Sequence, residues 1–199
     1  MRHRIFIAIN FPEKIKNKLL KYQNEIDESF YGVSDRELIR LVKRNNLHIT
    51  LVFLGYVQDE EIPEIINVVE EITEKHNPFP INLDKICYGP PKKMPPRMVW
   101  AEGKKSEELG KLQNDLENSL FSSLKSSKKS EARPYRPHIT LGRISKWGFK
   151  QIEPEERPRV EKNISLRFQV NSVEIMESQL KREGAEYTIL KSSTLGPNI

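Results

Sequence analysis

The tetrapeptide His-Ile-Thr-Leu occurs twice in a chain of 199 residues, in NNLHITLVFLG (45–55) and in YRPHITLGR (135–143). Both copies stand in apolar runs of the kind that form strands, where successive side chains point to opposite faces. His48 and Thr50 therefore share one face, while Ile49, Leu51 and Phe53 share the other. His138 and Thr140 are related in the same way, against Ile139 and Leu141. Each strand can bury its aliphatic side in a lobe and offer an imidazole and a hydroxyl on the opposite side. Two such lobes facing each other would bring two His and two Thr into one cleft.

The rest of the chain is consistent with that architecture. Helical spacing is found at 12–29 (Ile15, Leu19, Tyr22, Ile26, opened by Pro12), at 60–76 (Ile62, Ile65, Ile66, Val69, Ile72) and at 106–124 (Leu109, Leu112, Leu116, Leu120). Strand-like runs cover 4–11, 37–43, 47–54, 79–87, 97–102, 136–143, 165–175 and 185–191. Several follow one another without a helix between them, which favours antiparallel pairing and an α+β fold over a doubly wound parallel sheet. The proline-rich GPPKKMPPR (89–97) reads as a connection, with one HITL before it and the other after it. The expected arrangement is a single domain over 1–199 built of two related lobes.

Chemistry narrows the function. Paired imidazoles, with ordinary pKa values near 6.5, can accept one proton and donate another, and two hydroxyls can hold an anion between them. The substrate implied is a phosphodiester opened by in-line attack, with neither metal nor cofactor required. A single Cys87 excludes an internal disulfide or a Cys-based zinc site, and core packing is its expected role. His3 reads as terminal and His76 as a helix-end surface residue. There is no Gly-x-Ser-x-Gly elbow and no Walker-type loop. The amino terminus lacks signal-peptide features, and no run approaches the roughly 20 apolar residues that span a bilayer, so a cytoplasmic protein is expected.

Lysine plus arginine number 33 against 28 aspartate plus glutamate, a formal charge of +5. The excess is concentrated in 122–137, where Lys125, Lys128, Lys129, Arg133 and Arg136 oppose Glu131, five less one giving +4, beside the second HITL. The net charge favours an anionic partner only mildly, and the basic segment reads equally as a solvated loop or as part of a binding surface. Phe6 and Tyr135 are aromatic candidates for stacking on a nucleobase.

LHITLVFLG and RPHITLGR resemble the paired His-x-Thr-x motifs of the 2H phosphoesterase superfamily, and specifically of the RNA 2′,3′-cyclic phosphodiesterases, also called 2′-5′ RNA ligases. RIFIAINFP, RMVWAEG and VEIMESQLKREGAEYTIL resemble that family's first strand, its strand before the third helix and its closing hairpin, so the resemblance covers nearly the whole chain. It implies a bilobal α+β fold of two antiparallel sheets with flanking helices around a central cleft, with pseudo-twofold symmetry. It also implies His48 and His138 as the acid–base pair and Thr50 and Thr140 as phosphate binders. Arg143 matches an arginine of the family motif, although strict alternation puts it on the face away from His138 unless Gly142 permits a bulge. Its counterpart in the first motif is Phe53. The implied activity is hydrolysis of an RNA 2′,3′-cyclic phosphate end to a 2′-phosphate by a monomer, with 2′-5′ ligation as the reverse reaction. An RNA end-binding protein with little turnover and a hydrolase of small cyclic phosphates are the alternatives.

Overall fold

The computed structural model describes residues 1–33, 38–91, 93–124, 135–182 and 184–196. Its elements in chain order are β1 (Arg2–Ile9), α1 (Glu13–Phe30), β2 (Ile39–Leu41), β3 (Ile49–Gln58), α2 (Ile62–Glu74), β4 (Phe79–Gly89), β5 (Met98–Gly103), α3 (Glu107–Ser123), β6 (His138–Ile144), α4 (Lys146–Lys150), β7 (Lys162–Val170), β8 (Ser172–Lys181) and β9 (Gly184–Thr194). Two sheets result, β3-β1-β8-β9 and β2-β6-β5-β4-β7, and every strand pairing described within them is antiparallel. The fold is α+β with two antiparallel sheets, as the order of elements predicts.

The three helices predicted from spacing are present; Ile15, Leu19 and Ile26 of α1 and Ile65, Val69 and Ile72 of α2 are buried as predicted, while Tyr22, Ile62 and Ile66 are half-buried and Gln23 is buried. In α3, Leu109, Leu112, Leu116 and Leu120 are all fully buried, and the Ser106 hydroxyl caps the helix by accepting from the backbone N–H of Leu109 at 3.2 Å. Truncating any one of these leucines to alanine should cost about 2–5 kcal/mol. Helix α1 follows β1 of the four-stranded sheet yet packs on β2 and β6 of the other, while α3 follows β5 and packs on β3 and β4. This exchange ties the two sheets together. A single connected apolar cluster includes Ile5, Ile7 and Ile9 of one sheet and Val99, Ala101 and Ile139 of the other.

Three differences from the sequence reading have physical causes. The run 165–175 is two strands, because the chain leaves the five-stranded sheet after Val170 and enters the four-stranded sheet at Ser172. The apolar alternation of Leu166, Phe168 and Val170 shifts by one residue at Asn171–Ser172, resuming at Val173 and Ile175, which marks the break. The first motif strand runs on to Gln58, passing through Gly55 at φ +82°, a left-handed conformation that glycine adopts without a Cβ clash. The short helix α4, capped by Ser145, has too few turns to show an apolar period. Residues 125–134, which hold most of the basic segment, lie outside the described residues. No helix among the described residues is long and apolar enough to cross a membrane.

Candidate active site

The two motif strands occupy equivalent places. β3 pairs with β1 as β6 pairs with β5, with Ala8 opposite Thr50 and Trp100 opposite Thr140. Residues 48–54 and 138–144 show the same burial sequence: half-buried His and Thr, a buried Ile between them, two buried residues, one exposed residue and one buried residue. The paired buried residues are Leu51-Val52 and Leu141-Gly142. They mark an extra residue in each motif strand, since the register skips Leu51 between Thr50 and Val52 and skips Leu141 between Thr140 and Gly142. This bulge resets the alternation. Phe53 and Arg143 are thereby returned to the same faces as their histidines.

Strict period-two reading of Arg143 therefore fails at Leu141. The bulge does not depend on glycine, because Val52 occupies the corresponding place in β3. Gly142 is explained by close packing instead: a Cβ there would lie 2.7 Å from Ile39 Cδ1 on the core side. The amide of buried Gln23 on α1 donates to the Leu141 carbonyl at 2.7 Å and to the Val42 carbonyl at 2.8 Å, and the Val42 N–H donates to the Leu141 carbonyl at 2.9 Å. The carbonyl at the bulge is fully satisfied by these two donors.

The histidines are held alike. His48 Nδ1 donates to the Asn46 carbonyl at 2.8 Å, and His138 Nδ1 donates to the Arg136 carbonyl at 3.0 Å. Because a carbonyl only accepts, each neutral ring carries its proton on Nδ1 and leaves Nε2 available as a base. The Thr50 hydroxyl donates to His48 Nε2 at 2.9 Å. Among the described residues, the Thr140 hydroxyl makes a weak contact, with Met98 Sδ at 3.8 Å.

Both imidazoles titrate below 6.5, burial being the main cause in each case. The charges of Arg143 and His138 lower His48 further. These two residues belong to β6 of the other sheet, and β3 and β6 lie in contact across the two sheets. At His138 the nearby Glu102 carboxylate acts in the opposite direction and offsets part of the lowering.

Aromatic rings support both histidines. The Trp100 indole stacks on His138 with centroids 4.0 Å apart, and its close approach to β4 is possible because residue 89 is glycine, where a Cβ would lie 2.3 Å from the indole. Phe6 lies 5.0 Å from His48 and Tyr187 lies 5.3 Å from it, edge-on. Phe6 is 2% exposed, which removes it as a base-stacking surface and makes it packing behind His48. Tyr135 is half-buried, and its hydroxyl donates to the Thr50 carbonyl and joins the approach to the second motif to the first motif strand. Burial pushes that phenol upward. Trp100 and Tyr187 escaped the sequence reading. Trp100 could have been found from its place opposite Thr140, but only with the register known.

The remaining histidines and the cysteine have structural partners. His3 is held between Glu177 at 2.7 Å and Asp59 at 2.6 Å, which raise its pKa. His76 is buried rather than on the surface and meets Asp115 of α3 at 3.0 Å. Cys87 lies 3.4 Å from Glu102, and burial together with that carboxylate pushes its thiol up to about 12, which suits a packed and unreactive group.

A family model for LigT-like phosphoesterases matches residues 9–100. An RNA 2′,3′-cyclic phosphodiesterase of Methanocaldococcus jannaschii is 30% identical over 191 residues, covering 94% of this chain and 98% of the relative. The chain belongs to this phosphodiesterase family. The enzyme of the same name from Bacillus subtilis is 29% identical and covers 89% of this chain and 92% of its own. Among solved structures, TT0787 of Thermus thermophilus superposes with a TM-score of 0.78 at 25% identity, over 98% of this chain and 100% of its own. E. coli LigT complexed with 3′-AMP superposes with a TM-score of 0.74 at 25% identity, over 98% of this chain and 99% of its own.

Proposed function

We propose that the protein opens the 2′,3′-cyclic phosphate at an RNA end by two-histidine acid–base catalysis and leaves a 2′-phosphate. The observation that carries this reading is the matched holding of the two rings, each with Nδ1 on the carbonyl two residues earlier, so that Nε2 is the proton-accepting nitrogen of both, engaged in His48 by the Thr50 hydroxyl. Relatives named RNA 2′,3′-cyclic phosphodiesterase and the 3′-AMP complex of E. coli LigT support the substrate class.

In the proposed step, one imidazole removes a proton from water as the water oxygen bonds to phosphorus, in line with the departing O3′. The P–O3′ bond breaks, and the other imidazole supplies the proton that O3′ takes up. The 2′-O–P bond is retained, so the product is a 2′-phosphomonoester with a free 3′-hydroxyl. Thr50, Thr140 and Arg143 hold the non-bridging oxygens, where the guanidinium offers charge-assisted hydrogen bonds to the developing dianion. If an RNA 5′-hydroxyl replaces water as nucleophile, the same proton transfers form a 2′-5′ linkage.

The test is to incubate the protein with an oligonucleotide ending in 2′,3′-cyclic phosphate and identify the end group. A 2′-phosphate is expected. Tight binding without conversion would instead identify an end-binding protein.

A further inference from the structure

The two lobes differ where the site opens onto the end of β5. An open groove of about 770 Å³ runs there, lined by Asp84, Lys85, Glu102, Gly103, Lys104, Lys105, Arg136 and Asn163. It adjoins the site directly, because Glu102 is the register partner of His138 and Arg136 supplies the carbonyl that holds His138 Nδ1. Four cations face two carboxylates in this lining, a surplus of two.

Its floor is built. Glu102 is 2% exposed, and its carboxylate receives Lys85 at 3.2 Å and Arg136 at 3.1 Å. Arg136 thus joins the groove to the imidazole. Gly103 lets the strand end lie close on β4, since a Cβ there would be 2.4 Å from the Asn82 carbonyl, and the Gly103 and Lys104 N–H groups donate to Pro137 and Asn82. Lys104 and Lys105, both exposed, have no ion-pair partner among the described residues. In the first lobe, the register that sets Ala8 against Thr50 and Glu174 puts Asn10, Asn46 and Ser172 in the places of Glu102, Arg136 and Lys85. These three charged positions of the second lobe thus have uncharged counterparts in the first, and the pseudo-twofold symmetry of the catalytic strands does not account for them.

We propose that this groove binds the backbone of single-stranded RNA upstream of the reacting end, with Lys104 and Lys105 contacting phosphates that a cyclic mononucleotide does not have. The proposal rests on the reading of the substrate as an RNA end. It makes the enzyme selective for polymeric ends through charge, and bases need not be read.

The test compares Lys104→Ala/Lys105→Ala with wild type on a cyclic mononucleotide and on an oligonucleotide with the same cyclic end. KM for the oligonucleotide should rise about tenfold, and the slope of log affinity against log salt should flatten by about 1.4, as two lost phosphate contacts on a single strand require. Turnover of the mononucleotide should stay within about twofold of wild type, given that neither lysine reaches the reacting phosphate. Equal losses on both substrates, or an unchanged oligonucleotide KM and salt slope, would overturn the proposal. The latter result would leave the groove to a different anion, such as an acidic protein segment. Binding of an oligonucleotide with an unreactive 3′ end separates this proposal from the catalytic one. Lysine-dependent binding by a protein that leaves the cyclic end intact would uphold the groove while the proposed activity fails.

Discussion

The side-chain amide of Gln23 on α1 donates to the backbone carbonyl of Leu141, the extra residue that turns Arg143 onto the His138 face. A residue on the far side of the sheet is thus linked to the direction of a guanidinium in the site. Gln23→Leu should lower stability by about 1–3 kcal/mol by leaving the Val42 carbonyl unpaired and removing one donor from Leu141. If Gln23 also positions Arg143, KM should rise in protein that remains folded, while kcat changes less. Thermal unfolding combined with steady-state kinetics checks both effects. A loss of stability with KM unchanged would limit Gln23 to holding α1 on the sheet.

Arg143→Lys should retain only part of the phosphate affinity, because an ammonium cannot reproduce the forked guanidinium geometry. Phe53→Ala changes the corresponding position of the other strand, where an exposed ring offers no charge. KM should therefore rise more for Arg143→Lys than for Phe53→Ala on a cyclic mononucleotide. A larger effect of Phe53→Ala would shift substrate holding to the first lobe.

The pH profile follows from the direction of the two shifts. Both histidines are lowered from 6.5, mainly by burial, and the proposed step requires one ring neutral and one protonated. As pH rises through these lowered values, the pair loses the required proton. The bell in kcat/KM for the free enzyme should therefore centre on the acid side of 6.5, with limbs that belong to the coupled pair. Stability should change in the complementary sense. Between the folded pKa values and 6.5 the unfolded chain binds more protons, so stability is retained above 6.5 and lost as pH falls through the lowered values. A bell centred well above 6.5 would mean that the rings are not desolvated in the free enzyme.

Much of the fold was readable because helices and strands declare themselves through apolar period. The leucines of α3 are an example. The faces of His48, Thr50, His138 and Thr140 were readable for the same reason, since each His-Ile-Thr keeps regular alternation. Arg143 was not readable by period, because its direction depends on a bulge that contacts distant in sequence help to hold, from Val42 and Gln23. Phe6 looked available for base stacking because sequence does not show which aromatic will be covered. Phe6 is covered by His48 and Tyr187, and Tyr135 is held by Thr50. Trp100 was passed over for the converse reason: only pairing between strands brings it under His138.

The most direct measurement is end-group analysis of an oligonucleotide 2′,3′-cyclic phosphate treated in EDTA with wild type, His48→Ala and His138→Ala. Two imidazoles acting as base and acid leave no role for a cation in the proposed step, so wild type should convert the end to a 2′-phosphate at an undiminished rate. Each alanine variant should be slower by about 10² to 10⁴ while still binding the oligonucleotide. A rate that collapses in EDTA and returns with Mg²⁺ or Mn²⁺, or near wild-type conversion by either variant, would contradict the two-histidine mechanism.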